Sequence, residues 1–395
     1  MPELILNRGA ERRLKRGHLW IYSNEVDTKR SPLKGIEAGS QCRVLDSQGK
    51  PLGTAFVNPG QLICGRLVSR AEQGGELDAA LLSERLQTTL AMRERYFDHP
   101  SYRLVYGDSD WLPGLVVDRF GDSLVVQVSN WGMERLLPQV VDALVELVKP
   151  KGILLRNDHQ GRALEEMPLV NEVAYGEVPE MAPFEENGVP LLAPVHTGQK
   201  TGWFYDHRDN RARLNQWVKG RKVLDLFSYA GGWGVQALAS GADSATCVDA
   251  SEQALEWCRA NASHNGLADR LQTVRGKAVD VLKAMVAEGE QFDVVVLDPP
   301  AFIKRRKDHK AGLSAYRHIN ELAMRLLAAN GLLVSASCSM HLQADELLEC
   351  VRGAAHRLGR PAALLSSGGQ GADHPVHPAI PETRYLKAHF VHLGK

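Results

Sequence analysis

The chain has 395 residues, 44% of them hydrophobic and 24% charged, and its 47 Lys and Arg balance 47 Asp and Glu. That length exceeds what one hydrophobic core serves, so two or three domains are expected, and the composition is that of an ordinary globular protein rather than a disordered or fibrous one. No apolar run approaches the roughly 18 residues of a membrane-spanning helix, and the six cysteines are scattered without a CxxC pair or a zinc spacing.

The amino terminus offers only Leu4-Ile5-Leu6 before Arg8, Arg12, Arg13, Lys15 and Arg16, so a cytoplasmic protein with reduced thiols, no metal and no membrane partner is the expectation. Residues 1–70 hold twelve Lys and Arg against six Asp and Glu, which leaves 35 against 41 in the remainder. A basic first module fits a polyanion-binding appendage, and on charge alone it fits a solvated basic face equally well. Residues 41–46 and 52–57, joined by Ser47-Gln48-Gly49-Lys50, read as strands of a small β barrel or sandwich.

Gln73-Gly74-Gly75 is a polar break, after which residues 77–97 carry apolar side chains at helical spacing, so a first domain of residues 1–75 is expected. Strands at 102–106, 114–118, 124–128 and 153–155, with a helix over 134–148, predict a central α+β domain of residues 76–177. Prolines and glycines between Gly176 and Pro194 mark the next boundary. From residue 221 onward strands and helices alternate: strands at 223–227, 245–248, 272–274, 294–297 and 332–336, each followed by a helical segment. This alternation predicts an α/β domain, residues 178–395, with a parallel, doubly wound sheet that binds ligands outside the carboxyl ends of its strands.

The first of these strands runs into Asp225-Leu226-Phe227-Ser228-Tyr229-Ala230-Gly231-Gly232-Trp233-Gly234. Its glycines let the backbone approach a ligand at the start of a helix, but the pattern is not GxGxxG and Asp225 would repel a pyrophosphate. Asp249, 24 residues further on at the end of the second strand, suits a ribose diol. A ligand with a ribose and a cationic end fits both acids, and S-adenosylmethionine has these and no phosphate. Strand, Asp225, glycine turn and Asp249 together form the pattern of a class I methyltransferase. Lys277 stands where an acidic or amide side chain often reads the adenine amino group, so backbone groups are expected to serve instead.

The fourth strand ends in Asp298-Pro299-Pro300-Ala301-Phe302 and the fifth in Ser337-Cys338-Ser339. Neighbouring strands lie about 4.8 Å apart, so Asp298 and Cys338 are expected to face one bound base. Methylation of an exocyclic amine uses an (Asp/Asn)-Pro-Pro-aromatic turn, but here Ala301 follows Pro300 and Phe302 comes one residue late. C5 of a pyrimidine is not nucleophilic until a nucleophile adds to C6, and a thiolate is the usual agent. Cys338 is therefore read as that nucleophile and Asp298 as the group at N3. A free thiol, pKa about 8.5, needs activation at neutral pH, through Ser337, Ser339 or a nearby cation. Lys304-Arg305-Arg306-Lys307 and Lys310, just beyond the turn, form a basic loop that suits phosphate contact or plain solvation. His374 and His377 lack metal-ligand company and read as structural.

Taken together, these segments resemble the ribosomal RNA large-subunit cytosine-C5 methyltransferases of the methyltransferase I type over nearly the whole chain. The resemblance rests on Gly17-His18-Leu19-Trp20-Ile21, on Lys200-Thr201-Gly202 with Asp206 and Arg208, on Phe227 to Gly232, on Asp298-Pro299-Pro300-Ala301-Phe302, on Ser337-Cys338-Ser339, and on Asp373-His374-Pro375 leading to Pro381-Glu382-Thr383 and Tyr385-Leu386-Lys387. It implies an amino-terminal PUA RNA-binding domain, a central α+β domain, a Rossmann-like methyltransferase domain and a catalytic cysteine at Cys338. On the cofactor side it implies Lys200, Thr201, Gly202, Asp206, Arg208, Phe227, Ser228, Gly231 and Gly232, beside Asp225, Asp249 and Asp298. His207, where the family often has Gln, and Lys277 depart from the pattern at positions expected to bear on cofactor geometry. Large-subunit ribosomal RNA is the expected partner, and a homodimer is left open. A purine or exocyclic-amine RNA methyltransferase is the first alternative, and a non-catalytic RNA-binding ribosome assembly factor the second.

Overall fold

Successive side chains of an extended strand face opposite sides, so a strand with one consistently apolar face must cover that face. In the computed structural model, which describes residues 1–71 and 75–395, this requirement is met by three sheets and a hairpin. Gln73 and Gly74 of the expected break lie outside the described residues. The chain divides into two compact units, one made of Met1–Ala182, Pro194–Trp203 and Ala372–Thr383, the other of Pro183–Ala193, Phe204–Gly371 and Arg384–Lys395. No helix among the described residues is long and apolar enough to cross a membrane.

In the first unit, β1 (Glu3–Ile5), β2 (Trp20–Tyr22), β3 (Ser40–Leu45), β4 (Pro51–Val57) and β5 (Ile63–Arg70) form a sheet in the order β1-β3-β4-β5-β2, with the short helix α1 (Glu11–Lys15) between its first two strands. Leu4, Leu19, Ile21, Val44, Ala55, Val57 and Leu67 fill its core. Helix α2 (Ala79–Tyr96) begins at Asp78, whose side chain accepts the Leu81 N–H. A second sheet holds β6 (Ser101–Tyr106), β7 (Leu115–Phe120), β8 (Ser123–Val128), β9 (Gly152–Asn157) and β10 (Val170–Gly176) in the order β10-β9-β8-β7-β6, with α3 (Trp131–Arg135), α4 (Leu137–Val148) and α5 (Gln160–Leu164). The helix expected from residue 134 starts at Leu137 because Pro138, which cannot donate a helical hydrogen bond, sits in its first turn. Strand β10 was not expected from the sequence: six of its seven residues are exposed, so no apolar alternation marks it.

The second unit opens with a hairpin of β11 (Ala182–Glu186) and β12 (Val189–Ala193), joined by Asn187 and Gly188 at φ 56° and 76°. That two-residue Asn-Gly turn is a strong hairpin signal, yet the sequence reading took the stretch only as a boundary. After α6 (Arg208–Asn215) come β13 (Lys222–Leu226), α7 (Gly232–Ala239), β14 (Ser244–Asp249), α8 (Glu252–His264), β15 (Leu271–Arg275), α9 (Ala278–Ala287), β16 (Phe292–Leu297), α10 (His309–Leu326), β17 (Leu327–Ser337), α11 (Ala344–Arg357), β18 (Ala362–Gly368) and β19 (Lys387–Leu393). The sheet order is β15-β14-β13-β16-β17-β19-β18. Its first five strands are parallel, as expected, but β19 runs antiparallel to both β17 and β18, so the sheet is mixed. The reversal arises because β19 follows β18 without a crossover helix.

A buried charge pair braces the first unit. Arg103 gives two hydrogen bonds, 2.9 and 2.7 Å, to Asp118, a fully buried carboxylate that also accepts the Thr201 hydroxyl. Removing one partner of such a pair leaves an uncompensated charge in the core. Arg103→Met is expected to destabilise the first unit by about 3 kcal/mol, seen as an earlier melting transition in calorimetry.

Candidate active site

The parallel register aligns Leu226 of β13 with Val248 of β14 and Leu297 of β16, and Leu297 with Ser335 of β17. The residues at or just past the ends of these strands therefore leave the sheet at one edge. Among them are Phe227, Asp249, Asp298 and Cys338.

The turn after β13 is tightly constrained. Phe227, Tyr229 and Gly231 all have positive φ, at 64°, 48° and 84°. A Cβ on Gly231 would lie 2.6 Å from the Cys258 sulfur, and one on Gly232 would meet the Arg211 guanidinium at 3.0 Å. Asp225 beneath this turn is fully buried and accepts the Gly234 N–H at 3.0 Å, which fixes the start of α7. Asp249 accepts the Tyr229 N–H at 3.0 Å and the Ser251 N–H at 2.9 Å. Both acids thus shape the turn as well as line it.

The other oxygen of Asp225 and the Ser228 hydroxyl are buried without a hydrogen-bond partner among the described residues. Burial, with Asp298 and Asp249 adding to it, pushes the Asp225 carboxyl up to about 7. Such acceptors attract a cationic ligand and disfavour a phosphate. Two orphaned oxygens, a second carboxylate and a glycine cradle fit a nucleoside cofactor with a diol and a positive end. Lys277 is exposed at the start of α9, and the backbone beside it is tied down by the Gly276 N–H donating to the Asp249 carbonyl at 3.0 Å.

The motif at residues 200–208 is divided. Lys200, Thr201 and Gly202 belong to the first unit, Asp206 and Arg208 to the second. Lys200 is exposed, Thr201 donates to Asp118, and Gly202 has φ 112° with Val195 backbone 3.0 Å from where a Cβ would stand. In the second unit Asp206 accepts the Tyr385 hydroxyl at 2.6 Å, and buried Arg208 lies over the Tyr205 ring.

Asp298 accepts the Trp233 indole N–H at 3.1 Å, and His207 Nε2 lies 3.1 Å from its other oxygen. Asn210 holds the far side of the His207 ring at 3.2 Å. Burial alone would push the Asp298 carboxyl up, but His207 and Trp233 outweigh it and hold the group below the usual range. His207, expected to bear on cofactor geometry, thus reaches Asp298.

Cys338 is partly exposed, whereas the other five cysteines are buried. The flanking serines are committed elsewhere: Tyr316 bonds the hydroxyls of Ser337 and Ser339 at 2.7 and 3.0 Å, and Ser339 also takes the Ile303 N–H. Phe302 packs on Tyr316 with ring centres 4.8 Å apart, so it serves the wall of the site. Lys304 through Lys307 and Lys310 are exposed. In the first unit His374 is buried on Asp373 at 2.9 Å and His377 accepts the Ala379 N–H, in keeping with structural roles. The sequence reading missed the contacts of Trp233 and Tyr316. Trp233 sits inside the glycine turn, where a large ring among glycines was the available signal; for Tyr316, on a helix, there was none.

A seven-stranded sheet in this order, with a glycine turn after β13 and an acid at the end of β14, defines the class I methyltransferase fold, and residues 4–70 match the PUA-like domain family. Residues 210–340 match the family described as Conserved hypothetical protein 95. The chain is 34% identical over 391 residues to Ribosomal RNA large subunit methyltransferase I of Klebsiella pneumoniae, covering 98% of this chain and 97% of that one. It is 35% identical over 396 residues to the protein of the same name from Cronobacter sakazakii, covering 99% of each. A solved structure described as a methyltransferase complexed with SAH shares the fold, with TM-score 0.84 and 22% identity over 99% of this chain and 100% of that one. The chain belongs to the ribosomal RNA large subunit methyltransferase I family.

The raised Asp225 carboxyl has a consequence for stability. The folded chain binds this proton more tightly than the unfolded one, so the contribution is fully present below the ordinary carboxylate range and lost as pH rises through about 7. Asp225→Asn is expected to raise the melting temperature relative to wild type at about pH 8 more than at about pH 5, a comparison that calorimetry at the two pH values makes directly.

Proposed function

We propose that the chain is an S-adenosylmethionine-dependent methyltransferase of large-subunit ribosomal RNA, and that it forms 5-methylcytosine through a covalent cysteine adduct. One observation carries the reading: the only partly exposed thiol among the six cysteines, Cys338, leaves the sheet beside Asp298 at the edge that also holds the glycine turn. In this reading Asp225, Ser228, Gly231, Gly232 and Asp249 hold the cofactor, with Phe227, Asp206 and Arg208 of the same unit assisting. S-adenosylmethionine supplies, when bound, an electrophilic methyl group.

Cys338 Sγ adds to C6 of the cytosine, which makes C5 nucleophilic. Asp298, held as a carboxylate by His207 and Trp233, accepts a hydrogen bond from an N3–H, so that the ring nitrogen carries a solvent-derived proton while negative charge develops on the ring, and gives it back when the thiolate leaves. Loss of the C5 proton then expels the thiolate. A base within a helix must be flipped from its stack to reach these groups. Residues 1–75 form the RNA-binding module of this cytoplasmic enzyme, and residues 178–395 perform the chemistry.

The arrangement disfavours amine methylation, since Ala301 offers no ring for stacking and Phe302 is packed on Tyr316. A non-catalytic assembly factor would have no use for a partly exposed thiol at the strand end. The direct test incubates the protein with labelled S-adenosylmethionine and large-subunit RNA from cells lacking its gene. Labelled 5-methylcytidine, identified by mass spectrometry, is expected with wild type and absent with Cys338→Ala, while cofactor binding by calorimetry is unchanged. A methylated purine would sink the cytosine reading, and failure to bind the cofactor would favour the assembly factor.

His207 provides a second check. Since it holds the Asp298 carboxyl down, His207→Ala is expected to move the acidic limb of the pH–rate profile upward, with the mutant losing most activity at the low end of the range.

A further inference from the structure

Strand β17 is flanked by β16 on one side and β19 on the other, and the antiparallel register sets Lys387 opposite Ser337, the residue before Cys338. Lys387 is only 7% exposed. Its Nζ donates to the carbonyl of Ser339, the residue after Cys338, and at 2.9 Å to the carbonyl of Tyr385. The residue is therefore tied to both sides of the cysteine, its backbone opposite Ser337 and its amine on Ser339; an ammonium has three donors, one more than these two carbonyls take. Burying an ammonium is costly unless a neighbouring group forms an anion.

The groups that face Lys387 are few. Cys338, just past the end of β17, exerts the larger pull, and Glu346 on α11 the smaller. Glu346 is engaged by His309 at 3.0 Å. On its own strand His389 bonds the Ala344 carbonyl through Nε2 and Ser367 through Nδ1, and burial keeps it below the usual histidine range. From α10, Tyr316 holds the two serine hydroxyls, and burial pushes its own phenol up. That leaves the thiol as the partner whose ionisation would repay the buried amine.

Building on Cys338 as the nucleophile, we propose that Lys387 activates it: a general base whose amine takes the thiol proton and, as an ammonium, holds the thiolate until it adds to C6. The S–H bond breaks, an N–H bond forms at Nζ, and the net charge of the pair does not change. Burial pushes the Lys387 amine down to about 8 against the pull of Cys338 and Glu346, close to an ordinary thiol at about 8.5, so the proton is nearly balanced between the two. An exposed lysine, about two units higher, would stay protonated and could not accept the proton.

The test is the pH dependence of Cys338 alkylation by iodoacetamide, read by peptide mass spectrometry on the whole chain without RNA or cofactor. Wild type is expected to show a midpoint below that of an ordinary thiol. Lys387→Gln, which keeps donors for the two carbonyls, is expected to move the midpoint up by about one unit without changing the melting temperature. Equal midpoints in the two proteins overturn the proposal, and so does an ordinary midpoint in wild type, which decides the matter even if the variant does not fold. A low, Lys387-dependent midpoint without Cys338-dependent 5-methylcytidine leaves the activation standing and removes the cytosine reading. An ordinary midpoint with that product does the reverse.

Discussion

Backbone hydrogen bonds between β14, β13, β16 and β17 run in one parallel register, and everything at the candidate site hangs from that ladder. A slip of one residue in any of these strands would turn its side chains to the other face and withdraw its terminal group from the edge. The sheet interior resists such a slip because Leu224, Leu226, Val248, Val295, Leu297 and Leu333 are all buried in one core. Packing energy spent on aliphatic side chains is thus what fixes the positions of Asp225, Asp249, Asp298 and Cys338.

Three carboxylates at one edge should repel one another, and each is managed differently. Asp225 is deprived of water and leans toward its neutral form. Asp249 receives two main-chain N–H groups. Asp298 is held by an imidazole and an indole. The same local chemistry, a carboxylate at a strand end, therefore yields a carboxyl that keeps its proton longer, a turn brace and a fixed anion, set apart only by burial and donors. The acidic surplus that remains is suited to a ligand that brings positive charge of its own.

How much of this could be read from the sequence differs by scale. The alternation of strands and helices after residue 221 and the strand ends at Asp225, Asp249, Asp298 and Cys338 were legible, because parallel strands buried on both faces are nearly continuous apolar runs. The strand β10 was not, since its exposed residues carry no pattern, and β18, with its first four residues exposed, escaped for the same reason. The direction of β19 also escaped, because direction depends on the connection and not on the strand's own residues. At the site, residue identities were legible but their partners were not. His207 was visible as a departure from the family pattern, yet only the fold could show that it meets a residue 91 positions later. Lys387 was visible as part of a motif and mute about its neighbour.

The position of β19 has a bearing on how the molecule is assembled. It is made after every other strand of its sheet, yet it lies inside the sheet, between β17 and β18. During synthesis β18 emerges with no strand to pair with, and the edge of β17 stays open until β19 arrives. The nascent chain must therefore carry two unsatisfied strand edges, the kind of surface that recruits foreign strands. Insertion of β19 closes both at once, and the same event delivers the amine beside the thiol. A partly made chain is in this way kept chemically quiet: its cysteine does not acquire its neighbour until β19 has paired with both β17 and β18, when only the outer edge of β18 is left open on that side.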